Sequence, residues 1–572
     1  MIKSHTKVWL FLFNLESDIF IDLNSKRNMM NRVLTLIIYL LSLYLLCICI
    51  LNFGFQNKTW NWDTTNTNEI YYPEDFLWGT ATAAHQVEGG HTNNNWFWWE
   101  SQKDEYGQSR ILNNDKSGIA VDQWNRYPED IKLMKELGTN SYRFSLSWSK
   151  IMPQPMVFDT LALQHYSDLI DSLLHNNIEP NITLHHFEEP LWFMELGGFE
   201  KEENINYFLS FSEKVIKAYG KKVSYWTTFN EPNVFINEGY FAGYFPPGKK
   251  DARIAGTVLG NILKAHVKTY QMAKQLNYNS KLKIGIVMSI FLFEPSNRIN
   301  LIDWIGTYLA DDTFNKTIIR FLETGSYRYL VLPFGQPIKF LDENATKSID
   351  FIGVNYYSHL AVKMNPLNPV ESLQPVKGEI LAEMGRYTIY PDGIYDAIKM
   401  TSKLNVPIYI TENGIGDSKD IHRGSFIKRS LFAVSEAIKN GYDIRGFYYW
   451  SLLDNFEWCL GYSQKFGLYE VNLETQERTL REGSKELIQS LLSRGINVEI
   501  ISGDQQSSSA ARATWYASFM TAAVTYYNGF NNVFPVFREK YLGFDNYHQF
   551  QTEYGYYPKK GVGAELSIPS MR

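Results

Sequence analysis

Cysteine is scarce: 572 residues hold three, and two of these, Cys47 and Cys49, lie in an apolar N-terminal run. A disulfide scaffold is therefore excluded. Positive charge is not in surplus either. Fifty-five Lys and Arg stand against 61 Asp and Glu, for a net charge of −6, so no basic field exists to gain counterion-release energy from nucleic acid. The 20 prolines and 38 glycines are too few for a collagen-like or disordered chain. No repeat of 20–50 residues is evident, which argues against a repeat array. What the chain does contain is apolar and aromatic: 45% hydrophobic and 15% aromatic, with 15 tryptophans. Such abundance suits flat apolar ligands such as sugar rings.

The one long apolar run is Val33 to Leu51, 19 residues without a charge, preceded by Lys26, Arg27 and Arg32. Its length exceeds the usual core of a cleaved signal, and the positive flank lies on its N-terminal side. The expectation is a basic segment over 1–32 and a span over 33–51. That span is either a signal anchor, with the bulk of the chain luminal or extracellular, or a signal cleaved near Cys49. A start at Met29 or Met30 would favour the cleaved form. Asn-x-Ser/Thr triplets follow at Asn57, Asn181, Asn315 and Asn344. Asn181 sits in the strand-like EPNITL and is expected to be buried. Asn315 and Asn344 are the expected glycan carriers.

From about Phe76 to Trp450, short β-branched or apolar runs alternate with helical stripes, as in βα units on a parallel sheet. Eight runs begin at Phe76, Ser141, Glu179, Tyr225, Leu282, Asp350, Pro407 and Gly446. Between them, Tyr166, Leu169, Ile170, Leu173 and Leu174 follow one helical face, as do Phe208, Phe211, Val215, Ile216 and Tyr219. Eight such units predict a TIM (β/α)8 barrel, enlarged by long loops, over 60–495. The stretch 496–513, rich in Ser, Gln and Ala, reads as a linker. The extension 514–572 is aromatic-rich, and its role is unknown.

In such a barrel the active site lies at the C-terminal ends of the strands. Two runs end in glutamate, Glu231 in YWTTFNEP and Glu412 in PIYITENG. A carboxyl from each of two strands is what glycoside hydrolysis needs. A lone Glu after a strand is usually a solvated loop residue, but each of these stands beside an Asn, Asn230 and Asn413.

TFNEPN and ITENG, with FLWGTATAAHQVEG near the start and YYWSLLDNFEW near the end, resemble the four signatures of glycoside hydrolase family 1, the β-glucosidase family. The resemblance covers about Phe76 to Gly483. It implies a retaining mechanism, with Glu231 as acid/base and Glu412 as nucleophile, their carboxyls about 5–5.5 Å apart. It also implies that Arg143 and Tyr357 hold Glu412 ionised, with Asn355 and Phe466 in support. Glycone contacts by resemblance are Gln86, His186, Asn230, Glu457 and Trp458, with Trp450 as the stacking platform. Glu457 would accept from two hydroxyls and repel a 6-phosphate.

HHFEEP replaces the family's commoner HWDLP, so Phe187 stands where an indole N–H would reach the sugar, and the glycone preference is open on this point. The aromatic group Asn93 to Glu100 reads as core and loop packing more than as an aglycone wall, and Cys459 as a packed free thiol. Although His185 and His186 are adjacent, no acidic or cysteine ligand lies at metal spacing around them. No metal and no cofactor are expected. The expected partner is a small β-glycoside or oligosaccharide, without nucleic acid, and with possible membrane anchoring through 33–51. Oligomeric state is open. A klotho-type binding protein that keeps the barrel without hydrolysis is the rival reading, but such proteins typically lack one of the two carboxylates, and both are present here. Transglycosylation on the same site differs only in the acceptor.

Overall fold

A computed structural model describes residues 26–55, 57–331 and 335–492. The residues before Lys26, the expected linker 496–513 and the extension 514–572 lie outside the described residues. Eight parallel strands close into a barrel: β1 (Leu77–Ala81), β2 (Ser141–Ser145), β3 (Glu179–His185), β4 (Tyr225–Asn230), β5 (Lys283–Pro295), β6 (Phe351–Val362), β7 (Ile408–Asn413) and β8 (Ile444–Trp450). Each pairs with its sequence neighbour except at one point. There β1 pairs with β8, and this contact closes the ring. All eight runs read from the sequence are barrel strands. Their near-continuous apolar character follows from burial on both faces, one against the barrel interior and the other against the outer helices.

The interior is filled rather than hollow. Gly79 on β1 has no Cβ because one would stand 2.3 Å from the Tyr448 ring. That ring fills the barrel, and its hydroxyl reaches the Ser141 hydroxyl at 2.8 Å. The outer helices bury the expected stripes: Tyr166, Leu169, Ile170 and Leu173 in Thr160–His175, and Phe208, Phe211, Val215 and Ile216 in Ile205–Tyr219. β5 and β6 run on beyond the barrel, pairing from Leu292 with His359 to Pro295 with Val362. The helix Leu301–Asp311 packs against this arm, and the segment after β6 walls one side of the opening.

The N-terminal helix Lys26–Gly54 stands largely apart from the barrel. Its Arg32–Gly54 portion has mean hydropathy 2.8 and is exposed along its length. Twenty-three residues extend about 34 Å, enough for a hydrocarbon core. Its C-terminal part touches the segment that opens Leu301–Asp311. The Tyr44 hydroxyl donates to the Ile299 carbonyl, Asn52 donates to the Arg298 carbonyl at 2.9 Å, and Phe55 meets Trp304 edge-on at 5.4 Å.

Of the expected glycan carriers, Asn344 is exposed but Asn315 is not. Asn315 is fully buried, donating to the Phe291 carbonyl at 2.7 Å and to Asp311 at 2.8 Å. A glycan there would break both bonds and displace the core, so the expectation for Asn315 is corrected. Its triplet falls within a helical stretch that the β5–β6 arm covers, which the triplet itself does not reveal. Asn181 is buried as expected.

The loops after β7 and β8 are tied by one buried cation. Arg423 is fully buried and donates to the carbonyls of Ile415, Asp417, Lys465 and Phe466, to the Tyr449 hydroxyl and to Asp420. Arg423→Met would leave these acceptors unpaired, at a cost of about 3–5 kcal/mol. The expected result is a shorter half-life of residual activity at elevated temperature, and an unchanged half-life would refute the role.

Candidate active site

Glu231 directly follows β4 and takes a left-handed backbone, φ 42°, ψ 58°. Few non-glycine residues adopt this conformation, and such strain gathers at functional sites. Its N–H is held by the Val287 carbonyl at 2.8 Å. Pro232, with φ already preset, opens the helix Pro232–Ile236 and turns the chain away. Glu412 lies near the end of β7. Both glutamates line one cavity of about 560 Å³ at the C-terminal rim, together with His186, Phe187, Tyr357 and Trp450.

Glu412 is gripped by donors. Arg143 on β2 donates to its Oε1 at 2.6 Å, and the Tyr357 hydroxyl donates to its Oε2 at 2.7 Å. The Arg143 guanidinium, itself fully buried, also donates to Asn230 Oδ1 at 2.7 Å. Asn355 on β6 donates to Glu231 Oε1 at 2.9 Å and to Asn230 Oδ1 at 3.1 Å, while accepting from Thr411 at 2.7 Å. With its oxygen occupied twice, Asn230 turns its NH2 to His186 Nε2 at 3.0 Å. The imidazole is thus the acceptor at Nε2 and carries its proton on Nδ1. Burial, with Arg143 and His185 beside it, holds His186 well below the usual histidine range, so it is neutral.

The two carboxyls differ in surroundings. Burial, followed by the negative charge of Glu412, pushes Glu231 up to about 8, against hydrogen bonds from Asn355 and Ser289. Burial also raises Glu412, but Arg143, Tyr357 and Asn355 oppose it. A guanidinium keeps its charge, so of the pair Glu412 is the one held as carboxylate and Glu231 the one that keeps its proton. A proton donor and an anion facing one cavity can serve acid catalysis and nucleophilic attack together.

A third carboxyl lies farther along. Glu457 accepts from Gln86 at 3.1 Å, and burial raises it to about 8, opposed by the bonds from Gln86 and Trp450. Gln86 also donates to Asn455 Oδ1 and to the Phe456 carbonyl, each at 3.0 Å. Its own Oε1, like Nδ1 of His186, is buried with no partner among the described residues. Such orphaned atoms suit the hydroxyls of a ligand. Trp450 at the end of β8 stacks near the His186 ring at 5.7 Å, and Trp458 also lines the cavity. Phe466 meets the Tyr357 ring edge-on at 6.0 Å.

Glu231, Glu412, His186, Tyr357, Trp450, Glu457, Trp458 and Phe466 line this cavity. Gln86, Arg143, Asn230 and Asn355 bond directly to residues that line it, whereas Asn413 donates to the Tyr356 carbonyl at 2.7 Å and is not part of the lining. Phe187 faces it too, while its carbonyl accepts from Asn95 and the Trp96 indole at 2.9 and 3.0 Å. Trp96 is fully buried and packs beneath Trp458 at 4.7 Å, in keeping with a core role for its segment. Cys459 donates to the Tyr244 carbonyl, and burial pushes its thiol up to about 12, far from a reactive thiolate. Among the described residues no three His, Cys, Asp or Glu side chains come together as a metal-holding group.

Among the wall residues that escaped the sequence reading are Ser289, Arg386 and Tyr387. Ser289 was findable, being the polar residue that ends the LKIGIVMS run. Arg386 and Tyr387 sit in the irregular segment after β6, where no periodicity marks them.

A parallel eight-stranded barrel with two carboxyls at its C-terminal rim and a third among tryptophans is the layout of a glycosidase. The chain belongs to Glycosyl hydrolase family 1, whose sequence model matches residues 68–494, and is a β-glucosidase-like O-glycosyl hydrolase. It is 33% identical over 437 residues to the 1,4-beta-D-glucan glucohydrolase of Thermotoga neapolitana, covering 72% of this chain and 96% of the relative. Among solved structures, the beta-glycosidase from Pyrococcus horikoshii matches with TM-score 0.66 and 36% identity over 75% of this chain and 96% of its own. The family 1 β-glucosidase from Thermotoga maritima matches with TM-score 0.67 and 32% identity, over 75% and 99%.

The electrostatic coupling of the pair can be measured directly. Glu412→Gln removes the negative charge that helps raise Glu231, so the Glu231 carboxyl should titrate lower than about 8. Carboxyl 13C NMR on glutamate-labelled protein reads this, and an unmoved titration would show that the two groups do not share a field.

Proposed function

We propose that the chain hydrolyses terminal non-reducing β-D-glucosyl or related hexosyl residues by double displacement with retention. Glu231 serves as acid/base and Glu412 as nucleophile. The observation that carries this reading is a carboxyl holding its proton and a carboxylate gripped by Arg143 and Tyr357 in one buried cavity. The names of the relatives, a glucan glucohydrolase and β-glucosidases, support the reaction class.

Glu412 attacks the anomeric carbon while Glu231 gives its proton to the leaving oxygen. As the glycosyl–enzyme ester forms, Glu412 loses its charge, and the pressure that kept Glu231 protonated falls. Glu231 is then an ionised base, ready to take a proton from water in the second step. Gln86, His186, Asn230 and Glu457 receive the sugar hydroxyls, and Trp450 and Trp458 receive its apolar surface. Once sugar hydroxyls donate to Glu457 and favour its ionised form, its charge disfavours a 6-phosphosugar by repulsion. Phe187 offers no indole N–H, so it contributes only apolar contact to the glycone.

Two variants separate the roles. Glu412→Gly removes the nucleophile, and azide bound in the space should attack the opposite face to give an inverted glycosyl azide. Glu231→Ala removes the acid, which substrates with a good leaving group do not need for the first step. It should give a burst of aglycone followed by slow turnover, relieved by azide with a retained product. In the unaltered enzyme kcat/KM should fall as pH rises through about 8, where Glu231 loses its proton. Exchanged stereochemistry would reverse the roles, and full activity in both variants would refute the site.

The apolar helix Arg32–Gly54 supports a second reading. As an uncleaved anchor with its basic flank cytosolic, it puts the barrel on the luminal or extracellular side. Alkaline carbonate should leave the full-length protein in the membrane pellet, with any glycan on exposed Asn344 rather than on Asn315. Soluble, glycosylated protein would favour a cleaved signal, and unglycosylated protein in cytosol would refute the route.

A further inference from the structure

A second cavity of about 310 Å³ adjoins the catalytic one. The two are contiguous: Phe241, Phe293 and Phe314 line both. Beyond these shared rings the chamber is walled by Leu309, Leu330 and Met364. Apart from the Tyr329 hydroxyl, its polar side chains already bond within the protein. Asn233 donates to the Ser289 and Phe314 carbonyls at 2.7 and 3.2 Å and accepts from the Ser289 N–H. Thr313 donates to the Leu309 carbonyl at 2.7 Å, and Ser372 accepts from the Asn365 N–H at 2.8 Å. Such a chamber offers a ligand contact largely without hydrogen bonds, the property of a hydrocarbon site.

The location of one wall adds a second, independent observation. The helix Leu301–Asp311 gives Gly306, Leu309 and Ala310 to the chamber. Its outer side, with a residue two positions before it, leaves Ile299, Ile302, Ile305 and Tyr308 each more than half exposed. This is the segment on which the apolar N-terminal helix rests. Tyr44, which bonds the Ile299 carbonyl, lies ten residues before the end of that helix. The chamber therefore lies one helix thickness from an exposed apolar face that borders the N-terminal helix.

We propose that this chamber receives the hydrocarbon chain of an amphiphilic β-glycoside, so that the enzyme acts on glycolipid substrates. The inference rests on the glycosidase reading for its reaction and on the chamber for its substrate class. The sugar occupies the catalytic cavity, the glycosidic oxygen faces Glu231, and the chain passes Phe293 and Phe314 into the chamber.

The test uses the full-length chain in phosphatidylcholine nanodiscs, since detergent chains would compete for the same space. Alkyl β-glucosides from butyl to dodecyl should show kcat/KM rising about fourfold per methylene until the chamber is full. Ala310→Trp and Met364→Trp, which fill it, should flatten this rise while leaving 4-nitrophenyl β-glucoside hydrolysis unchanged. Chain partition into lipid is the same for all three proteins, so the ratio of variant to unaltered enzyme isolates the chamber.

A decyl β-glucoside tipped with a diazirine provides a readout without any variant. Photolysis should label the tryptic peptides 299–316 and 364–377, and excess unlabelled dodecyl β-glucoside should suppress the label. Labelling confined to peptides that hold no chamber residue, or an equal chain-length rise in the filled variants, would overturn the proposal while leaving the glycosidase reading intact. Labelled peptides without hydrolysis of any β-glucoside would refute the glycosidase reading and leave the chamber standing.

Discussion

Arg143 is a cation with no access to water, set in the second strand of a closed barrel and bonded at once to Glu412 and Asn230. Removing a guanidinium from water is costly unless its donors are matched with acceptors, one of them charged. The match here spans three strands, β2, β4 and β7, so the ring must close in register before the charge is satisfied. The consequences pass outward. Because Arg143 holds Glu412 as an anion, Glu412 helps to hold the proton on Glu231. Because Arg143 and Asn355 occupy the oxygen of Asn230, its amide turns toward His186 and settles the tautomer of that ring. One ion pair thus bears on the proton of Glu231 and on the tautomer of His186.

The aromatic shell does different work. Trp96 beneath Trp458, and His186 against Trp450, are rings supported by rings. A stacking surface for a sugar has to be rigid to lose little entropy on binding, and two or three packed aromatic layers supply this better than a lone exposed ring. The chain's 15 tryptophans are therefore not all ligand contacts. Many are the foundation on which a few contacts stand.

The barrel was legible in the sequence because its strands are buried on both faces and so read as unbroken apolar runs between helical stripes. The catalytic candidates were legible for a related reason: a polar residue that ends such a run has its position set by the strand. Arg143 and Glu412 lie within or at the end of runs, and Ser289 could have been found by the same rule. What could not be read depends on segments whose course is set by tertiary contacts. Tyr387 lies in a loop without period. Asn315 carries a triplet that looks free until the β5–β6 arm covers it. The chamber arises between Leu301–Asp311 and that arm, and no local pattern announces a space between elements.

The site holds two buried carboxyls, Glu231 and Glu412, and a half-buried third, Glu457, but only one buried guanidinium among the groups that bond them. A dry cavity does not bear two uncompensated negative charges, which is why Glu231 and Glu457 are both raised to about 8 before a ligand enters. A bound sugar changes this balance unequally. Its hydroxyls can donate to Glu457, and such donors favour the ionised form, whereas the glycosidic oxygen can only accept and so favours the protonated Glu231. Ionising Glu457 adds a second negative charge near the pair, which further raises the affinity of Glu231 for its proton. Under the proposed mechanism, recognition of the far end of the sugar therefore strengthens the acid at the scissile end, and it does so through the field alone, with no movement of the barrel.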